Sequence, residues 1–101
     1  MKLIVITAVK EFEKDIKRIL KNSDIPNFSY QNIIGYRNTS KEASLDDWFP
    51  GERHENNSIM FYAFFKKEDT EELFSRVKAF NDKQESLSKV HVAVLNVEKS
   101  N

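Results

Sequence analysis

The chain has 101 residues, of which sixteen are basic and sixteen acidic, with two glycines, two prolines and no cysteine. That length predicts one domain around one core. The lack of cysteine excludes disulfides, thiolate metal sites and thiol catalysis and suits a reducing, cytoplasmic setting, while zero net charge removes the basic surplus used for general nucleic-acid or anionic-membrane binding.

The opening "MKLIVITAV" is apolar from Leu3 to Val9 and then charged. It is too short for a membrane span and has no small-residue cleavage site, so it predicts a strand over Lys2–Val9, apolar on both alternating sets. In "KEFEKDIKRILKNS", Phe12, Ile16, Ile19 and Leu20 share one helical stripe among charges. Asn22, Ser23, Asp24 and Pro26 end that helix. "FSYQNIIGY" from Phe28 is the second strand, with Gly35 near its end.

A polar stretch that includes "SLDDWFPGERHENN" follows, and the next strand-like segment, "SIMFYAFF", begins only at Ser58. Connections in compact domains usually run about 2–6 residues, so the segment 37–57 needs a reason to exist. "KKEDTEELFSRVKAFNDK" places Leu73, Phe74, Val77 and Phe80 at helical spacing, with Asp69 and Glu72 spaced as a capping box. "KVHVAVLNV" closes the order β-α-β-β-α-β as a fourth strand.

That order predicts an α+β, ferredoxin-like sandwich: one four-stranded antiparallel sheet with both helices on one face. The other face is then a surplus. Leu3, Val5 and Val9 stand against Ile4, Ile6 and Ala8; Ile59, Phe61 and Phe65 against Met60, Tyr62 and Phe64; Val90, Val92 and Val94 against Ala93, Leu95 and Val97. Leaving such a face in water costs roughly 25 cal/mol per Å², so other copies of the chain are expected to cover it.

With those elements placed, the whole chain resembles the PII-like signalling superfamily. "MKLIVITAVKEFEKDIKRIL" is similar to the family's first strand and helix, and "IIGYRNTS" to its exit into the long flexible segment known as the T-loop. The resemblance implies a non-enzymatic regulator: a cytoplasmic homotrimer that binds a small effector in clefts between subunits. It also implies that residues 37–57 form the loop that docks on a target protein, such as a membrane transporter or an enzyme. Trp48, Phe49 and Arg53 are the candidate partner contacts on that loop, large aromatics being common interface anchors. The alternative for Trp48 and Phe49 is that they pin the loop to the body.

The family's nucleotide-binding members hold phosphates with a Gly-rich turn between the second helix and the last strand. The corresponding "NDKQESLSK" has no glycine, and the terminal "NVEKSN" offers no arginine cluster. Adenine nucleotide, the cofactor that the resemblance implies, therefore lacks its usual cradle. Gly35, Tyr36, Arg37, Lys83 and Lys89 remain as cleft residues for a smaller anion, with Lys83 and Lys89 also readable as solvated ends of elements.

Glu52, His54 and Glu55, near Asp46 and Asp47, form a candidate divalent-metal set if copies of the loop meet. This is the internal support for an alternative, a CutA-like trimer. A third reading is a stand-alone amino-acid-binding regulatory domain of the same topology. His91, among valines, reads as a sheet residue rather than a ligand. No nucleophile and base fall into a recognisable catalytic pattern. The aromatic "SIMFYAFF" lacks the basic and glycine-containing start of RNA-binding strands, so no nucleic acid is expected.

Overall fold

A computed structural model of the chain describes residues 1–36, 55–66 and 70–101. Its elements run β1 (Lys2–Val9), a 3-10 turn (Lys10–Phe12), α1 (Glu13–Asn22), β2 (Ser29–Tyr36), β3 (Glu55–Phe65), α2 (Glu71–Lys83) and β4 (His91–Asn96). The strands make one sheet in the order β2-β3-β1-β4, every neighbour antiparallel. This is the ferredoxin-like plan expected from the alternation of strand and helix patterns.

Register decides which apolar set each strand buries. Ile4 pairs with Ala63 and Val94, and Ile6 with Phe61 and Val92, so these side chains share one face. Ile16 and Leu20 of α1 and Leu73 and Val77 of α2 complete a single core with them. Both helices thus lie on the same side of the sheet. Phe12 meets Phe80 edge-on, with ring centres 5.0 Å apart, and ties the start of α1 to the end of α2.

The opposite face carries the other apolar set in matching rows: Phe64, Leu3 and Leu95, then Tyr62, Val5 and Ala93, then Met60, Thr7 and His91. Its exposure is graded. Phe64 is 60% exposed, Leu95 48% and Tyr62 36%, whereas Thr7 and Ser58 are buried. The Thr7 hydroxyl is buried there with no hydrogen-bond partner among the described residues.

Three local features differ from the sequence reading. First, the chain enters α1 through a 3-10 turn, because neither Val9 nor Phe12 supplies a side-chain cap. Second, α2 begins after Thr70, which makes no side-chain capping bond; Asp69, expected at the cap, lies outside the described residues. Third, β3 starts at Glu55, so residues 55–57, expected in the long loop, belong to the sheet and pair with residues 34–36. The rest of that expected loop, 37–54, lies outside the described residues.

α1 ends as its sequence predicts. Ile25 N–H donates to Leu20 O (3.0 Å) and the Ser23 hydroxyl to Ile19 O (2.7 Å), satisfying carbonyls of the last turn. Asp24 takes the left-handed conformation (φ 59°) that this reversal needs. Asp is one of the few residues other than glycine that visits it routinely.

Candidate functional site

The last three β2–β3 pairs, Ile34 with Asn57, Gly35 with Asn56 and Tyr36 with Glu55, continue past the point where β1 stops at Val9 opposite Ser58. They form a two-stranded ribbon beyond the sheet body. Gly35 is buried in it and Tyr36 is exposed. An open depression of about 410 Å³ lies at its base, lined by Val9, Glu11, Ile34, Glu55, Asn56 and Asn57. Among the described residues that lining carries two carboxylates and no cationic side chain.

Lys83 and Lys89 sit elsewhere. Lys83 is the last residue of α2 and Lys89 precedes β4. Because β4 runs antiparallel to β1, its start lies at the same end of the sheet as the end of β2. The two groups are nonetheless on opposite edges, separated by three strand spacings, or about 14 Å. A single chain therefore does not bring Gly35 and Tyr36 to Lys83 and Lys89. Nor is the Lys89 ammonium idle, since it donates to Asn81 O at 3.1 Å.

The α2–β4 connection is held by two carboxamides. Asn81 bridges to the backbone of Val90 in both directions: Nδ2 donates to Val90 O at 2.9 Å, and Oδ1 accepts from Val90 N at 2.8 Å. Gln84 Nε2 donates to Ser88 O, while its Oε1 accepts from Ser86 N (2.8 Å) and Ser86 Oγ (2.6 Å). Neither residue stands out in the sequence, where a polar helix end reads as solvated. The alternation of amide and hydroxyl residues from Asn81 to Ser88 was the available signal.

Lys17 forms a smaller polar cluster on α1. It lies 4.2 Å from the centre of the Tyr30 ring and donates to Glu13 (2.9 Å) and to the Tyr30 hydroxyl (3.1 Å). The bond to Glu13, then that to Tyr30, holds its ammonium above the ordinary lysine value. Tyr30 in turn stacks on Phe61, with centroids 5.2 Å apart, so this cluster braces the sheet.

Of the remaining candidates, Arg37, Trp48, Phe49, Glu52, Arg53 and His54 lie outside the described residues. Glu55 is the first residue of β3, opposite Tyr36. His91 is half-buried opposite Thr7. Among the described residues, no three His, Cys, Asp or Glu side chains are placed to hold a metal ion. No described helix is long and apolar enough to cross a membrane.

No protein-family model matches the chain, and no curated protein matches it. Solved structures do. A DUF3240-family protein from Shewanella baltica superposes with a TM-score of 0.65 at 15% identity, over 99% of this chain and 92% of that one. CPII from Thiomonas intermedia, a nitrogen regulatory PII-like protein bound to ADP, AMP and bicarbonate, gives 0.61 at 13% identity over 99% and 94%. GlnK of B. subtilis, in complex with ATP, gives 0.63 at 12% identity over 93% and 80%. The chain shares its fold with these PII-like proteins. At these identities the likeness is one of fold, and the PII-like ligands belong to those proteins. In this chain, the α2–β4 connection is closed by Asn81 and Gln84, and the ribbon base carries Glu11 and Glu55.

Proposed function

We propose that the chain is a non-enzymatic PII-like regulator that acts as a homotrimer. It takes a small effector between copies and signals occupancy to a target protein through the segment between β2 and β3. The observation that carries this reading is a sheet with an apolar outer face and two uncharged edges. Phe64, Leu95 and Tyr62 present that face to solvent in the single chain. β2, "SYQNIIGY", and β4, "HVAVLN", contain no Asp, Glu, Lys or Arg. Soluble proteins normally blunt a free strand edge with charge or proline, so two bare edges call for a partner.

The two edges differ in sequence, so pairing one with the other is heterologous and generates a closed ring when the rotation permits. β2 and β4 are antiparallel within the sheet, so edge pairing between copies keeps the same sheet ends together. Gly35 and Tyr36 of one copy then face the Lys83 and Lys89 end of the next. The cleft that one chain leaves split across 14 Å or so is completed by its neighbour. Bicarbonate and adenine nucleotides, found on the solved PII-like proteins, are the effectors to test first.

Size-exclusion chromatography with light scattering tests the assembly. The expected mass is three times the 11.9 kDa of the chain. A single-chain mass at micromolar concentration overturns the reading. A thermal-shift screen of bicarbonate, nucleotides, 2-oxoglutarate and divalent metals then finds the effector, since a ligand at a hundred times its dissociation constant adds about 2.7 kcal/mol of apparent stability.

A further inference from the structure

A backbone cradle for phosphate needs convergent N–H groups that point outward and are free of other bonds. In the α2–β4 connection, where the resemblance to the family's nucleotide-binding members implies such a cradle, three backbone donors are already taken. Gln84 N–H closes the end of α2 on Phe80 O at 3.1 Å. Ser86 N–H is taken by Gln84 Oε1 and Val90 N–H by Asn81 Oδ1, each at 2.8 Å. The Lys89 ammonium donates to Asn81 O.

Charge opposes an anion as well. The turn follows the C-terminal end of α2, the negative end of its macrodipole, and Glu85 stands exposed within it. Every residue from 84 to 90 carries a Cβ, which prevents the close backbone approach that glycine allows. A phosphate entering here would break bonds to both carboxamides and meet a carboxylate and helix carbonyls in exchange.

We infer that the α2–β4 turn is a closed clasp that excludes phosphate, so that any effector of this protein is recognised without it. The inference takes only its location from the proposed cleft. Asn81 and Gln84 are positioning residues that lock the clasp, and the site class left to the effector is non-phosphorylated, or phosphorylated with its phosphate held elsewhere.

The test is an amide-resolved titration of the full chain with ADP, ATP, AMP and inorganic phosphate, each with magnesium, to millimolar concentration. The expected result is that the Ser86 and Val90 amide signals do not move and that their hydrogen exchange is the same with and without ligand. A nucleotide that shifts amides elsewhere but leaves every amide from 84 to 90 unmoved also supports the clasp. Saturable movement of any amide signal from 84 to 90 with nucleotide or phosphate overturns it. Gln84→Ala gives a second readout: it should speed exchange at Ser86, and unchanged exchange there refutes the locking role. A single-chain mass in light scattering would remove the regulator reading while leaving the clasp result standing, so the two failures are distinguishable.

Discussion

Asn81→Ala is the sharpest test of how the α2–β4 connection is held. The substitution removes both bonds to the Val90 backbone, 2.8 and 2.9 Å long, at a residue only 3% exposed. A buried donor or acceptor left without a partner costs about 1–3 kcal/mol. Water re-entering on the half-buried Asn81 side repairs part of that, and alanine's better helix propensity recovers about 0.5 kcal/mol. The net expectation is a loss of about 2–3 kcal/mol, a large share of the roughly 5–15 kcal/mol typical of a domain. At about 4–8 °C per kcal/mol for a chain of this size, Tm falls by roughly 10–20 °C. Urea unfolding at fixed protein concentration should show a lower midpoint with an unchanged slope. Lys78→Ala, which removes an exposed ion pair to Asp82, is the control and should stay within about 0.5 kcal/mol. If Asn81→Ala is as mild as that control, the amide bridge does not hold the turn.

Four further outcomes are expected. Phe61→Ala, at a side chain 1% exposed and in ring contact with Phe28 and Tyr30, should cost about 3–5 kcal/mol in equilibrium unfolding; a loss below about 1 kcal/mol contradicts its place at the centre of the core. Val5→Asp, on the sheet face away from the helices, should convert the assembly to single chains by light scattering, because each copy would otherwise bury an unpaired carboxylate; an unchanged mass means that face is not covered by copies. Thr7→Val should be neutral or stabilising, since it replaces a buried hydroxyl without a partner among the described residues; a marked loss of assembly shows that the hydroxyl gains a bond between subunits. The raised pKa of Lys17 makes its contribution to stability complete below the ordinary lysine value of 10.5 and lost only as pH climbs through the higher folded value. The stability gap between the wild type and Lys17→Met should therefore be flat across neutral pH and close in strong alkali; a gap that changes near pH 6 points to another group.

Much of the fold was legible because two periodicities do not imitate each other. Ile4, Ile6 and Ala8 alternate with Leu3 and Val5, while Ile16 and Leu20 recur at four residues, and burial follows both patterns. The start of β3 was not legible. Asn56 and Asn57 have poor strand propensity and enter the sheet only through pairing with Gly35 and Ile34, about twenty residues earlier in the chain. The clasp was missed for a related reason: Asn81 reaches Val90 across nine residues, and no local pattern announces that a helix-end amide will fold back. Lys89 reads from sequence as an available cation, yet its ammonium is spent on a carbonyl. Gly35 and Tyr36 lie on the opposite sheet edge from Lys83 and Lys89 in one chain, so the cleft expected between subunits needs two copies to join them.

The β2–β3 ribbon runs past the end of its pairing with β1, and Glu55 at its tip is exposed. The chain thus leaves the described fold at Tyr36 and re-enters it at Glu55, on a bracket whose foot is fixed by strand pairing. Such an arrangement lets new recognition chemistry be tried, residue by residue, without renegotiating how the domain folds.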